Sequence, residues 1–115
     1  METTPRFLQG VFTFEGQGLT AAALLAASTV YTVPFAKRSQ LIYLRAGNSS
    51  DELIALILMR DGTPMRYFPI GAKADSHVSL AVVEDLMPDT KLEVFVAAPL
   101  GISGSVVLDI GLLEI

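Results

Sequence analysis

An uninterrupted apolar run, Leu53–Met59, constrains the fold more than any other stretch of this sequence. It has no polar residue at alternate positions, so a strand formed by it would be dry on both faces. Asp61-Gly62 follows as a strong signal for a two-residue β-hairpin, and Met65–Ile70 is expected to return as the partner strand. One face of the run would meet the core. The other face would need a second sheet, a loop or a neighbouring subunit to cover it.

Short strands are predicted along most of the remaining chain. Alternation, or β-branched and aromatic residues, mark strands at Phe7–Glu15, Val30–Val33, Gln40–Ala46, Ser76–Val83, Lys91–Ala98 and Ser105–Ile115. The segment Leu19–Ser28 stays ambiguous, because its alanines favour helix while its length and its neighbours favour an extended or irregular chain. Gly111 is expected to mark a bulge, since Leu113 and Ile115 are apolar in the other parity.

These strands predict an all-β chain, a single-domain antiparallel β-sandwich or jelly roll of about eight strands. The length of 115 residues fits one domain. Residues 7–115 are expected to form that domain. Residues 1–6 are expected to form a flexible N-terminal arm, because they are polar, include Pro5 and begin at a terminus.

The composition predicts an apolar surface that other subunits cover. The chain is 51% hydrophobic and only 17% charged, whereas ordinary soluble domains are about 25% charged. A body of this size has too little interior to bury that many apolar side chains, so we expect contacts with copies or with a larger particle. The residues expected at such an interface are Phe35, Leu53, Leu56, Leu58 and Phe95.

Charge and cysteine content argue against several classes of function. The net charge is −4, and the eight basic residues are scattered apart from Lys37-Arg38, so neither a nucleic-acid stripe nor a cationic membrane patch is expected. Without cysteine there is no disulfide framework, thiol nucleophile or thiolate metal site. Leu19–Ala27 imitates the apolar part of a signal peptide, but acidic rather than basic residues precede it, which disfavours secretion by that route.

One extended pattern resembles a known family. It begins with Tyr31-Thr32-Val33-Pro34, continues through a turn containing Lys37 and a strand to Ala46, and reaches Asn48-Ser49-Ser50. Later parts are Leu86–Leu92 and Ile102–Glu114. This arrangement resembles small virion proteins of tailed bacteriophages, over about four-fifths of the chain. Two departures stand out: Phe35-Ala36 replaces a small residue plus glycine, and Pro88-Asp89 replaces a glycine-led turn.

The resemblance implies a β-sandwich or jelly roll that decorates capsids or forms part of tails and fibres. Such proteins are commonly homotrimers. We therefore expect a non-enzymatic capsid decoration or cement subunit, made in the host cytoplasm and carried on the virion, whose partners are its own copies and the major capsid protein. It would act by adding many weak contacts. An aromatic side chain at a turn tip, Phe35, would be better explained by contact with a neighbour than by solvent.

Residues for chemistry are scarce. The one histidine, His77, follows Asp75 at the spacing of one strand face, but no second histidine completes a catalytic zinc set. Three copies of His77 around a trimer axis are the metal alternative. The acidic pairs Asp51-Glu52 and Glu84-Asp85 fall in predicted loops, where solubility explains them. We expect no catalytic residue, cofactor or metal, and hence no enzyme; a small cupin-like enzyme is the distant alternative.

A second type of surface is predicted at Tyr43 and Arg45. Their spacing on one strand makes both side chains project together, and tyrosine and arginine are favoured in contacts with proteins and sugars. An ordinary amphipathic strand would also show this pattern. The functional alternative is a tail or fibre module that binds host carbohydrate or another receptor through this surface.

Overall fold

Nine strands and one short 3-10 turn make up the described part of the chain. The computed structural model describes residues 3–115, apart from the side chains of residues 81–83. The 3-10 turn is Ala27–Thr29. The strands are β1 Thr4–Glu15, β2 Gly18–Leu24, β3 Val30–Thr32, β4 Ser39–Asn48, β5 Ile54–Arg60, β6 Thr63–Ile70, β7 Asp75–Leu86, β8 Lys91–Ala98 and β9 Ser103–Glu114.

The strands form two antiparallel sheets with jelly-roll connectivity. Sheet A has the order β1-β9-β4-β7, and sheet B has the order β2-β8-β5-β6 with β3 paired beside β2 on β8. If β2 and β3 count as one interrupted strand, the first strand pairs with the last, the second with the seventh, the third with the sixth and the fourth with the fifth. That nesting is a long hairpin rolled into two sheets, as in a jelly roll. The predicted fold class is confirmed.

The core lies between the two sheets. Alternate residues of each strand face it, including Val106, Leu108, Ile110 and Leu112 of β9. From β5 the inward residues are Ile54, Leu56 and Leu58, none of which has exposed surface. Period-two alternation of this kind is what one buried face per sheet requires.

The N-terminal strand begins earlier than the sequence indicated. Thr4, Pro5 and Arg6 pair with Glu114, Leu113 and Leu112, so these residues belong to β1 rather than to a loose arm. Of the rest of the expected arm, Thr3 is exposed and precedes β1, while Met1 and Glu2 lie outside the described residues. The ambiguous segment after β1 is extended in β2 and then forms the 3-10 turn.

The tight hairpin between β5 and β6 is as predicted, but a second backbone feature is displaced. Asp61 and Gly62 both have positive φ, 50° and 81°, as a type I′ turn requires. The bulge expected at Gly111 of β9 lies instead on the opposite strand, β4, where the register shifts between Leu41 and Tyr43. Gly111 itself continues the regular pairing of β9 with β1.

Asn48 joins two loops at one end of the sandwich. Its amide nitrogen donates to the carbonyl oxygens of Glu52 at 2.9 Å and Gly71 at 3.0 Å. Its amide oxygen accepts from the backbone nitrogen of Ser50 at 2.9 Å and from the Ser50 hydroxyl at 2.8 Å. The side chain is buried, and every one of these groups would otherwise need another partner. The Asn-Ser part of the sequence pattern therefore has a structural role.

Candidate interaction surfaces

The outer face of sheet B carries a continuous apolar row. Leu24 of β2 lies beside Phe95 of β8, Phe95 beside Ile57 of β5, and Ile57 beside Tyr67 of β6. Leu24 is 40% exposed and Tyr67 is 63% exposed, while Phe95 is partly buried and Ile57 is buried between its neighbours. We call this row and the two rows flanking it the apolar face.

The flanking rows are almost free of charge. On one side Ala97, Ala55 and Pro69 are aligned; on the other are Glu93, Met59 and Pro64. Glu93 is 14% exposed and contacts Lys91 at 3.6 Å. The described residues form two sheets and one short turn, so no third layer lies over this face. Its middle is nevertheless buried within the chain, since Ala97 is 1% and Ile57 is 6% exposed, and its exposed members are Leu24, Tyr67, Pro64 and Pro69. A contiguous apolar surface of this kind is typical of a contact with another protein.

The structure divides the five predicted interface residues into three groups. Leu56 and Leu58 have no exposed surface and lie in the chain's own core, so they are removed from the interface. Phe95 lies on the apolar face. Phe35 is 84% exposed after β3, and Leu53 is 45% exposed before β5, so they lie at opposite ends of β4.

The parity of the β5 run explains this correction. All positions of Leu53–Met59 are apolar, so the sequence does not show which alternate set faces the core. The structure directs Ile54, Leu56 and Leu58 inward and leaves Ala55, Ile57 and Met59 outward. Leu24 and Tyr67 were missed as members of the same surface, because only the register across four strands aligns them with Phe95.

The outer face of sheet A carries a polar cluster. Tyr43 and Arg45 project from β4 on this face, as their spacing indicates, and both contact Asp109 of β9. The Tyr43 hydroxyl donates to Oδ1 of Asp109 at 3.0 Å, and Nη2 of Arg45 donates to Oδ2 at 2.6 Å. Gln9 of β1 adds a third bond, from Nε2 to Oδ1 at 3.0 Å. The sequence did not single out Asp109 or Gln9, which only strand pairing brings to this cluster.

Electrostatics stabilise the cluster in its charged form. The hydrogen bond from Arg45 lowers the pKa of Asp109, and those from Gln9 and Tyr43 act in the same direction against the effect of burial. The pKa of Tyr43 is raised by burial and by its bond to Asp109. The guanidinium of Arg45 also lies 5.9 Å from the Tyr43 ring centroid, within the range of a cation–π contact.

A shallow depression of about 480 Å³ borders this cluster. Its lining residues include Arg45, Gly47, Asp75, His77 and Asp109. The His77 ring meets the Tyr43 ring edge to face, with centroids 6.2 Å apart. Within the described residues, no group of three or more histidine or acidic side chains could hold a metal ion. The depression thus has the polar and aromatic groups of a weak ligand site.

Comparison with known proteins identifies no family for this chain. No protein-family model matches the sequence, and no curated protein matches it at a significant level. The fold is similar to part of the insecticidal delta-endotoxin Cry8Ea1 from Bacillus thuringiensis, at 13% identity and a TM-score of 0.49, over 88% of this chain and 18% of the toxin chain. A chain in the structure of infectious bursal disease virus Gx strain gives 12% identity and a TM-score of 0.46, over 98% of this chain and 36% of that one.

This chain therefore spans well under half the length of either protein, and similarity this distant has no bearing on function. No helix among the described residues is long and apolar enough to cross a membrane.

Proposed function

We propose that this protein is a structural component of a virion, most specifically a capsid decoration or cement subunit that acts as a homo-oligomer. The observation that carries the proposal is the partly exposed apolar face, Leu24–Phe95–Ile57–Tyr67 with its flanking rows. The resemblance of the Tyr31–Ser50 pattern to phage virion proteins supports a phage head as the particle and a trimer as the oligomer.

Burial of the apolar face supports self-association. Covering a large apolar side chain contributes about 1.5–3 kcal/mol, and Leu24 and Tyr67 both keep a large exposed fraction in the single chain. Tyr67 also has a hydroxyl group that can remain at the wet edge of a contact. Since only Glu93 is charged in the central rows, and Lys91 contacts it, copies can meet there with little cost from desolvated charge.

Both ends of the sandwich offer further apolar contacts to a shell. Phe35 is 84% exposed and Met87 is 52% exposed at the end that carries the β3–β4 and β7–β8 connections. Leu53 and Leu100 are exposed at the other end. In an oligomer each of these tips is repeated, so contacts that are individually weak add through multivalency. The proposed role needs such contacts and requires no chemistry.

Electron microscopy of the virion that carries this protein tests the location. We expect density for the chain at regularly repeated positions on the outside of the head, with one end of the sandwich against major capsid subunits. A matched biochemical test uses heads that lack the protein. Wild-type chain should add to them until a fixed stoichiometry is reached, and Phe35→Ser should weaken the addition. Density restricted to the tail would contradict the decoration role.

The polar cluster favours a second candidate, a tail or fibre module that binds carbohydrate. Tyr43, Arg45 and Asp109 are pre-organised beside a depression, and such groups can donate to and accept from sugar hydroxyls. A glycan-binding screen separates the two candidates. Retention of a sugar that is lost in Arg45→Gln but kept in the control Arg60→Gln would favour the module over the decoration subunit.

A further inference from the structure

A side chain is missing from the middle of the outer face of sheet A, at Gly47. In the strand register, Gly47 of β4 lies between Asp75 of β7 and Val107 of β9. Neighbouring strands are about 4.8 Å apart, so β7 and β9 are separated by roughly 10 Å across this position. All three residues line the depression of about 480 Å³ described above. We call this position and its surroundings the Gly47 gap.

The backbone does not require glycine here. Gly47 has no positive φ, and the pairing of β4 with β9 is regular from Tyr43 to Asn48. A Cβ atom at Gly47 would meet only Cβ of Asp75, at 4.0 Å, which is an ordinary contact distance. Gly111 on the same face differs, because the Tyr43 ring lies where its side chain would be.

Glycine inside a strand weakens the strand, and it often marks a bulge, a bend or the close approach of a ligand or of another backbone. The regular register at Gly47 is not that of a bulge. The described residues form two sheets and one short turn, so no third layer supplies another backbone over this face. Close approach of a ligand is the explanation that fits the Gly47 gap.

The rim of the gap combines hydrogen-bonding groups with an apolar wall. On one side lie the exposed side chains of Asp75 and His77, which share the outer face of β7. Arg45 and Asp109 close one end, where a bond of 2.6 Å joins them. Val107 is 57% exposed on the other side. A sugar ring matches this set, since it carries hydroxyl groups around its edge and C–H groups on its faces.

The charges at the gap favour a neutral ligand. Among the lining residues that the structure describes, Asp75 and Asp109 are acidic and Arg45 is basic. Arg45 is already paired with Asp109, so Asp75 leaves one negative charge in excess. A phosphate group or a sugar acid would bring a second negative charge close to it, and like charges oppose a contact. No group of three described acidic or histidine side chains is placed to hold a metal ion.

We propose that the Gly47 gap binds one neutral sugar ring and that Asp75 selects against sugar acids. The carboxylate of Asp75 accepts hydrogen bonds from sugar hydroxyls, His77 and Arg45 donate to sugar oxygens, and Val107 contacts a C–H face. This inference rests on the carbohydrate-binding candidate proposed above and names its subsite and its class of ligand. The decoration role does not depend on it.

Nuclear magnetic resonance titration of the full chain tests the class of ligand. The probes are the methyl glycosides of glucose, galactose, mannose and N-acetylglucosamine, compared with methyl glucuronide. At least one neutral glycoside should shift the amide signals of Gly47 and Val107 in a saturable way, with a dissociation constant of about 1 mM or more, as an open site for a small ligand allows. Methyl glucuronide should bind about tenfold more weakly. A glucuronide that binds as tightly as the neutral sugars would overturn the proposal.

Two matched valine variants test the subsite. Gly47→Val fills the gap and should raise the dissociation constant about tenfold or more, while the chain stays folded because valine is favoured in strands. Ser105→Val adds the same side chain to the same face outside the depression, and it should leave binding unchanged. Equal effects of the two variants would overturn the proposal.

Asp75→Asn tests selection by charge. This variant keeps a hydrogen-bonding group and removes the negative charge, so methyl glucuronide should now bind about as tightly as the neutral sugar. If its disadvantage stays at about tenfold, Asp75 does not select the ligand.

The results also separate this inference from the candidate on which it rests. If Arg45→Gln loses a neutral sugar that Gly47→Val still binds like wild type, the sugar lies elsewhere on the polar cluster. The subsite is then wrong and the carbohydrate-binding module stands. If no neutral glycoside shifts any signal, both fail.

Discussion

The hydroxyl group of Tyr31 donates a hydrogen bond of 2.5 Å to Oε2 of Glu114, and this bond joins the two sheets near one end of the sandwich. Tyr31 lies on β3 in sheet B, whereas Glu114 ends β9 in sheet A. The same hydroxyl lies 2.6 Å from Oγ of Ser39, and Nε of Arg6 contacts Oε1 of Glu114 at 3.1 Å. Glu114 is only 2% exposed, so its charge depends on these partners.

Removing the Tyr31 hydroxyl should destabilise the fold at neutral pH. Tyr31→Phe leaves one oxygen of the buried Glu114 carboxylate without its donor, so we expect the free energy of unfolding to fall by about 1–3 kcal/mol. Tyr67→Phe is the control, because Tyr67 is 63% exposed; its effect should stay within about 0.5 kcal/mol. Urea unfolding measures both, and equal values would show that the bond contributes nothing.

The same residue predicts a loss of stability at alkaline pH. Burial, and then the bond to Glu114, raise the pKa of Tyr31 from 10.0 to about 12. A group whose pKa is raised by folding contributes stability that is complete below the unfolded pKa and is lost as the pH rises through the folded one. Wild-type protein should therefore lose stability between pH 10 and about 12 relative to Tyr31→Phe. Parallel curves for the two proteins in urea titrations over this range would contradict the assignment.

The turn after β3 contains a residue in an unfavourable conformation. Ala36 has a φ of 64°, a left-handed conformation that costs an alanine about 1–2 kcal/mol. Glycine avoids that cost but loses about 0.5–1 kcal/mol of chain entropy, so Ala36→Gly should raise the free energy of unfolding by about 0.5–1 kcal/mol. Ala72→Gly, in an exposed loop where φ is not positive, should lower it by a similar amount. The same sign for both variants in urea unfolding would refute this account of the turn.

Asn48 should be among the most sensitive polar residues. Asn48→Ala leaves buried carbonyl oxygens and the Ser50 donors unpaired, and we expect a loss of about 3 kcal/mol in the free energy of unfolding. The neighbouring Ser49→Ala is the control. It removes one exposed bond, in which Oγ of Ser49 accepts from the backbone nitrogen of Ser105, and should cost about 1 kcal/mol or less. Thermal and urea unfolding together measure the difference; comparable losses would mean that Asn48 does not hold the two loops.

Gly111 is required by the ring that covers it. A Cβ atom at this position would lie 2.1 Å from Cε2 of Tyr43, so Gly111→Ala must displace the ring or the strand. We expect a cost of about 1–3 kcal/mol, and a clearly smaller cost when Tyr43 is first replaced by alanine. A double-mutant cycle of unfolding free energies measures this coupling. Additive effects would mean that the ring does not restrict the position.

Local patterns in the sequence were sufficient for the fold class and for the placement of Tyr43 beside Arg45. Period-two alternation and the Asp61-Gly62 turn depend on neighbouring residues, so they can be interpreted without tertiary structure. The contacts that define both surfaces depend on pairing between distant strands. Asp109 reaches Arg45 only through the register of β9 against β4, and Leu24 reaches Phe95 only through that of β2 against β8.

Two further differences have the same origin. The N-terminal residues through Arg6 resemble an arm in isolation, and they become a strand because the last residues of β9 pair with them. The uniform run Leu53–Met59 predicted a strand with two apolar faces, but it did not show which face is turned to the core, since apolar residues occupy both parities. In the structure Leu56 and Leu58 face the core, and Ile57 lies on the outer side.

Sedimentation equilibrium tests the central claim, that copies of the chain cover the apolar face. Wild-type protein should form a defined oligomer at micromolar concentration. Leu24→Ser, which changes a 40% exposed residue on the apolar face, should weaken that oligomer about tenfold or more, as loss of roughly 1.5 kcal/mol of apolar burial requires. Leu100→Ser removes a leucine that is 76% exposed in the β8–β9 loop and should leave the oligomer unchanged. A wild-type chain that stays monomeric throughout this range, or equal effects of the two variants, would contradict the account.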